Sequence, residues 1–471
     1  MAPNVDSGSK DRGVSAVKEV VSGATANALS PAERVVTRKE LAGHASRESV
    51  WIAVNGRVYD VTGFENVHPG GEIILTAAGQ DATDVFAAFH TPATWKMMPQ
   101  FLVGNLEEDA LSAKPSKQLN GHSPHEYQAD IRKMRAELVK LRAFDSNKFF
   151  YLFKFLSTSA ICALSVVMAL GMKDSMIVTA LAAFTMALFW QQCGWLAHDF
   201  LHHQVFKNRV FNNLVGLVVG NVYQGFSVSW WKMKHNHHHA APNVTSTAAG
   251  PDPDIDTVPV LLWSEKLIEG DSKEMEDLPM FLMKNQKIFY WPVLCVARIS
   301  WLLQSLLFQR APVWNFVGGN SWRAVEIVAL LMHHGAYFYL LSLLKSWVHV
   351  ALFLVVSQAM GGVLLGVVFT VGHNAMKVLS EEEMKSTDFV QMQVLTTRNI
   401  EPTAFNRWFS GGLSYQIEHH IWPQLPRHSL PKAREILTKF CSKYDIPYAS
   451  QGLIEGNMEV WKMLSKLGES L

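Results

Sequence analysis

Trp190-Gln191-Gln192-Cys193-Gly194-Trp195-Leu196-Ala197-His198-Asp199-Phe200-Leu201-His202-His203 joins the end of an apolar run to a histidine cluster, and the reading of that junction decides the fold. The run behind it begins at Met176, and another, Phe149 to Met172, precedes it across Lys173-Asp174-Ser175. Each is about 20 residues or slightly longer, enough to cross about 30 Å of hydrocarbon at 1.5 Å per residue. The short connection makes them a transmembrane hairpin. Val325 to Leu344 and Trp347 to Val371 form a second hairpin of the same kind. Buried core helices are the other reading, but the chain has little else with which to bury four of them. Four crossings return the chain to its starting side. The segment between the hairpins, His198 to Arg323, carries most of the cations near span ends (Lys207, Arg209, Lys232, Lys234, Arg310, Arg323). The two turns carry only Lys173 and Lys345, so the positive-inside rule puts the long segment and both termini in the cytosol. Val210 to Phe226 and Ile288 to Phe308 are apolar but interrupted by Asn, Gln, Lys or Arg, and read as interfacial or partly submerged helices.

Composition agrees with a divided chain. At 471 residues at least two units are expected. Hydrophobic residues make up 49% and charged residues 18%, yet mean hydropathy is only +0.07, because a polar front third precedes an apolar remainder. A net charge of +1 gives nothing to draw the chain to nucleic acid. Cys162, Cys193, Cys295 and Cys441 are far apart and form no C-x-x-C pair, which excludes a thiolate metal site or disulfide framework and suits a reducing, cytosol-facing protein. Met1 to Val35 is rich in Ser, Ala, Gly and charges and has no apolar core, so it reads as a disordered leader rather than a signal peptide.

From Val36 to Asp109 short β-like runs, Val50 to Val54 and Val58 to Val61, alternate with helical stretches and glycine, as in a small α+β domain. It holds His68-Pro69-Gly70-Gly71 and, further on, His90. Two neutral imidazoles on opposite sides of an iron porphyrin give a six-coordinate haem for electron transfer, and the glycines let backbone approach the macrocycle. Alone, H-P-G-G also fits a turn with a surface histidine. The flanks, Val58-Tyr59-Asp60-Val61, Gly79-Gln80-Asp81-Ala82-Thr83-Asp84, Phe86 and Phe89, closely resemble the cytochrome b5 domain. That resemblance implies a haem b held by His68 and His90. A polar linker with the charged helix Glu126 to Leu141, residues 110–147 together, leads to the membrane domain at 148–471.

Three histidine clusters lie just beyond the spans: His198-Asp199-Phe200-Leu201-His202-His203, His235-Asn236-His237-His238-His239 and Gln416-Ile417-Glu418-His419-His420. On a helix His198 and His202 share a face. All three fall on the cytosolic side of the topology above. Interfacial histidines or adventitious zinc sites are the plainer reading of any one cluster; three on one membrane face are far more specific. Removing hydrogen from an unactivated methylene needs O₂ activated with electrons that two irons can share, and imidazole suits iron; zinc has no redox chemistry for the task.

These boxes, the preceding haem domain and Gln416 in box three resemble the front-end membrane fatty-acid desaturases over nearly the whole chain after the leader. The resemblance implies an all-α integral membrane domain of four transmembrane helices with a cytosolic di-iron cap. Its pattern makes His198, His202, His203, His235, His238, His239, His419 and His420 ligands of two iron ions, with His373 at the end of the fourth span as a further one. Gln416 stands where most membrane desaturases have His, as a weak neutral ligand or a hydrogen bonder beside the metal. His237 fills a variable slot. His333 and His334, midway along the third span, either line an acyl tunnel or hydrogen-bond a neighbouring helix.

The implied reaction places a cis double bond in a fatty-acyl chain, carried by CoA or phospholipid, with O₂ and electrons from an NAD(P)H-dependent cytochrome b5 reductase through the chain's own haem. A short tether holds such a donor at millimolar effective concentration. Trp190 to Ala197 and Gly411-Gly412-Leu413-Ser414-Tyr415 look most like Δ6 desaturases of linoleoyl and α-linolenoyl chains in an endoplasmic reticulum membrane. Δ5, Δ8 or sphingoid-base desaturation stays open, as does a hydroxylase on the same scaffold. A non-catalytic haem carrier with a histidine-rich anchor is the rival from another class.

Overall fold

Val50, Ile52 and Val54 are buried on one face of their strand and Trp51 and Ala53 on the other, so this strand is a central one. In the computed structural model, which describes residues 33–107, 120–172, 174–269, 276–310 and 320–471, it runs Ser49–Val54. Nearly all of the leader expected over 1–35 and the linker at 110–119 lie outside the described residues. The chain divides into two units, Met1–Ser112 and Ala113–Leu471.

In the first unit the strands are β1 (Val35–Val36), β2 (Ala45–Ser46), β3 (Ser49–Val54), β4 (Arg57–Asp60), β5 (Gln80–Asp81) and β6 (Leu102–Leu106). Their order is β1-β6-β4-β3-β2, with β5 also on β3. β3 and β4 form a hairpin whose turn, Asn55-Gly56, has both φ angles positive (50° and 71°), the turn that matches strand twist. One sheet face packs on Val36, Leu41 and Leu106. The other carries Ile52, Tyr59, Leu75, Phe86 and Phe101 and supports the histidine segments.

The second unit is helical. The helices that position its histidines are α1 (Pro124–Lys140), α2 (Lys148–Gly171), α3 (Met176–Leu201), α4 (Val228–Ala240), α5 (Gln286–Phe308), α6 (Asn320–Ser342), α7 (Trp347–His373), α8 (Gln416–Ile421) and α9 (Leu453–Ser470). Asn147, Ser175 and Ser227 cap α2, α3 and α4 through their side chains. Among the described residues five helices, α2, α3, α5, α6 and α7, are long and apolar enough to cross a membrane. The sequence expectation counted four and read the fifth, α5, as an interfacial or partly submerged helix because Pro292, Arg298 and Gln304 break its apolar run. Phe149, Phe153 and Val167 leave most of their surface uncovered along α2, as lipid-facing side chains do.

α5 lies almost backbone to backbone against α7. A Cβ on Gly362 would sit 2.1 Å from the Leu294 carbonyl oxygen, and one on Gly366 2.6 Å from the Leu294 side chain. Small residues of this kind let membrane helices close up. Both ends of α5 reach the histidine side: Tyr290 Oη meets Thr370 Oγ1 at 3.0 Å, and Ser305 Oγ accepts from the Ser227 amide at 2.9 Å. The charged helix appears as α1, where Tyr127, Ile131 and Leu138 pack on Leu437 and Phe440 of Leu430–Lys443, the helix after the third box.

Candidate metal centres

In the first unit His68 ends a turn and His90 follows helix Thr83–Phe89. Their rings face at 6.0 Å between centroids. Each Nδ1 turns to a backbone carbonyl, His68 to Gly71 at 3.2 Å and His90 to Phe86 at 3.1 Å. A proton held there leaves the lone pair on Nε2, the atom an axial ligand uses. Burial pushes His68 below the usual histidine range, keeping it neutral. A Cβ on Gly70 would strike the His68 ring at 2.9 Å, so H-P-G-G needs its glycine. The pair fits a bis-imidazole haem.

In the second unit α3 runs on through the first box, carrying His198 and His202 out on one face. α4 supplies His235, His238 and His239; α7 ends on His373; α8 supplies His419 and His420. They sort into two buried groups, His198-His202-His235-His239-His419 and His238-His373-His420, each with ligand atoms within 4.8 Å of one another. His239 Nε2 lies 3.0 Å from His235 Nε2 and 3.1 Å from His419 Nε2, and His238 Nε2 lies 3.2 Å from His373 Nε2. His198 Nε2 and His202 Nε2 are buried without a hydrogen-bond partner among the described residues. Convergent, unpaired imidazole nitrogens are costly unless a cation lies between them, and imidazole suits iron. Burial, reinforced by neighbouring rings, pushes His235, His239 and His420 well below the usual range and His419 down to about 3, so these rings stay neutral and ready to ligate.

Buried partners orient the rings. Asp252 accepts from His238 Nδ1 at 3.0 Å; burial pulls His238 down, but Asp252 and Asp254 push it up to about 9. The effect is a proton held on Nδ1 and Nε2 aimed at the group. Gln393 Oε1 takes His420 Nδ1 at 2.9 Å while its Nε2 donates to the His239 carbonyl. Asn243 Nδ2 donates to the His373 carbonyl at 2.9 Å. On the far side of α8, Glu418 accepts from Asn399 at 2.9 Å and from Tyr448 at 2.5 Å. The Arg427 guanidinium meets Asp199 at 2.7 Å and the Trp195 carbonyl at 2.8 Å, bracing the end of α3. The sequence signal for Asp252 was the acidic run 252–256; Gln393 and Asn399 carried none.

One expectation changes. His203, carried into the ligand set by resemblance, joins neither group: α3 ends at Leu201, the backbone turns left-handed at φ 58°, and its Nε2 faces Asn213 at 3.0 Å and Lys232 at 3.1 Å. His237 likewise lies outside both groups. Gln416, by contrast, is at the centre. Its Nε2 lies 2.9 Å from His373 Nε2 and 3.3 Å from His420 Nε2, and its buried Oε1 has no partner among the described residues. Amide nitrogen and oxygen exchange by a flip, so Gln416 offers the three-imidazole group a fourth donor. His333 Nδ1 meets the Val222 carbonyl at 3.0 Å and also lines a cavity of about 430 Å³ with Met186, Trp190, Tyr223, Ala336 and Tyr337. That residue thus hydrogen-bonds a neighbouring helix and also faces a cavity.

Residues 175–452 match the family described as Fatty acid desaturase, and residues 37–107 match the Cytochrome b5-like Heme/Steroid binding domain. The chain is 38% identical to the Acyl-lipid (9-3)-desaturase of Physcomitrium patens over 436 residues, 92% of this chain and 78% of that protein. It is 35% identical to the Delta(8)-fatty-acid desaturase of Euglena gracilis, covering 83% of this chain and 89% of the relative. It is 31% identical to the Delta(6)-fatty-acid desaturase fat-3 of Caenorhabditis elegans, covering 86% and 93%. The chain belongs to the fatty acid desaturases, oxidoreductases that use a fatty-acyl substrate and O₂. Within them it is of the front-end kind, an integral membrane enzyme fused to a cytochrome b5 domain; that domain implies haem, and the buried clusters fit a di-iron centre.

Proposed function

We propose that this front-end desaturase introduces a cis double bond at Δ6 of linoleoyl and α-linolenoyl chains in polyunsaturated fatty acid biosynthesis. Its functional units are residues 36–109 and 148–471, which bracket the family matches. The iron ligands are His198, His202, His235, His239 and His419 in one group and His238, His373 and His420 with Gln416 in the other, as the convergence of their buried donors supports. Bound there, the two irons supply the oxidising power that breaks unactivated C–H bonds with O₂. The protein's own residues fix ring tautomers, exclude water and hold the chain. The cavity two to three helical turns below His198 along α3, walled by Met186, Trp190 and Ala336, is apolar space for that chain.

Electrons come from an NAD(P)H-dependent cytochrome b5 reductase through the haem of His68 and His90. α2, α3, α6 and α7 cross an endoplasmic reticulum membrane with both termini and the histidines cytosolic, while α5 lies along the histidine side, to which both its ends are tied. The observation that carries the reading is the meeting of histidines from three boxes and α7 at one place, with an apolar cavity further down α3. The Δ8 alternative is favoured by the relative of that name at 35% identity.

Expression in yeast fed separately with linoleic and α-linolenic acids, with double bonds located by mass spectrometry, tests it. New cis bonds at carbon 6 support the reading. A bond at carbon 5 or 8 moves the regiochemistry, and a hydroxylated product without a new double bond refutes desaturation.

A further inference from the structure

Glu326 lies in the first turns of α6, inside an apolar segment, and is 0% exposed. An ionisable group in such a segment is costly unless it does something there. It makes no ion pair with Lys or Arg among the described residues; it is surrounded by donors. Ser227 Oγ donates to its Oε2 at 2.5 Å, Ser229 Oγ donates to its Oε1, and Asn221 Nδ2 and the Ser229 amide approach Oε2 at 3.5 Å. Ser227 is also the N-cap of α4, its Oγ accepting from the Trp230 amide at 3.2 Å and its amide donating to Ser305 of α5. One carboxylate thus gathers the segment before α4, the α4 cap and the first turn of α4.

The geometry points to Glu326 as a positioning residue for the iron centre, acting through α4. A negative charge at a helix N-terminus is held by the unpaired amides and the dipole there. At the other end of the same helix stand His235, His238 and His239, which serve both groups. α4 has only 13 residues, so a tilt at its capped end is transmitted undamped to all three rings. A carboxylate fixes the tilt more sharply than an apolar contact, because Ser227 Oγ already accepts from Trp230 and must donate toward residue 326. The inference rests on the reading of His235, His238 and His239 as iron ligands.

The test uses full-length protein purified with its haem, comparing wild type, Glu326→Ala, Glu326→Gln, Glu326→Asp, Ser227→Ala/Ser229→Ala, the triple variant that combines these serine changes with Glu326→Ala, and His235→Ala as a control. Iron per haem, the rate of iron loss to a chelator and the Mössbauer spectrum are measured beside product formation. Glu326→Ala is expected to keep haem and monodispersity, to lose iron at least tenfold faster and to broaden the spectrum; Glu326→Asp should recover most of the retention. Adding the serine changes to Glu326→Ala should cost less than the same changes cost in wild type, since both share the link to residue 326 and only the Ser227 cap on the Trp230 amide is newly lost. If Glu326→Ala does not fold, Glu326→Gln, which keeps shape but turns an acceptor into a donor, carries the same expectation. Wild-type iron retention and spectrum in the folded variant would overturn the inference, as would serine effects that simply add. If His235→Ala itself keeps all its iron, the ligand reading fails instead.

Discussion

The two histidine groups sit side by side yet are built differently. The five-imidazole group draws on three helices, and its rings crowd together, with His198 to His419 at 4.4 Å and His202 to His239 at 4.7 Å between centroids. The three-imidazole group is completed by other chemistry, the Gln416 amide within 2.9 Å of His373 and the Asp252 carboxylate behind His238. Neutral crowding specifies one site; hydrogen-bonded orientation specifies the other. A metal in the second group should therefore depend more on residues that do not touch it.

The strongest break is His239→Ala. Its ring contacts His235 and His419 and stacks on His420 at 4.0 Å, so it borders both groups. Loss of product by more than about 100-fold is expected, beyond the cost of an outer partner, with iron per chain measured by mass spectrometry falling at both sites. Asp252→Asn should be smaller and one-sided: about a 10–100-fold loss of iron affinity, confined to the three-imidazole group and visible as loss of one of two Mössbauer components. Equal loss of both components would erase the distinction drawn above. Gln416→His would make the second group resemble the first, and chelator challenge should then strip its iron more slowly while product formation falls. Ala336→Phe, in the cavity and away from both groups, is expected to leave iron unchanged and lower conversion of the longest acyl chains offered, read by gas chromatography. The smallest effect belongs to His203→Ala, which should cost about 1 kcal/mol of stability through its bond to Asn213 and leave iron content as in wild type.

Much of this site was legible because helical spacing is local. His198 and His202, or His235 and His239, share a face by counting, and the apolar run that ends in the first box is continuous with the helix that carries it. The split into groups was not legible. His238 and His239 are neighbours in sequence, but one residue turns a helix by about 100°, and only the positions of α7 and α8 decide which partners each meets. His203, expected as a ligand by resemblance, stands outside both groups for a related reason: adjacency to His202 says nothing once the helix has ended and the backbone turns over. Asp252, Gln393 and Asn399 come from loops and short helices whose approach depends on long-range packing. Glu326 left one trace, a lone acid in an apolar segment. α5 was set apart from the other apolar runs by its interruptions, and its glycine-faced contact with α7 gives those interruptions a structural setting.

The spread of the ligands along the chain has a consequence for the order of assembly. Everything the haem pair touches is complete once residue 107 has been made, in a unit with its own core. The five-imidazole group has four members by His239 but waits for His419, and the three-imidazole group waits for both His373 and His420. During synthesis, which runs from the N-terminus at about 5–20 residues per second, the electron carrier can be loaded well before either iron has a finished place to go.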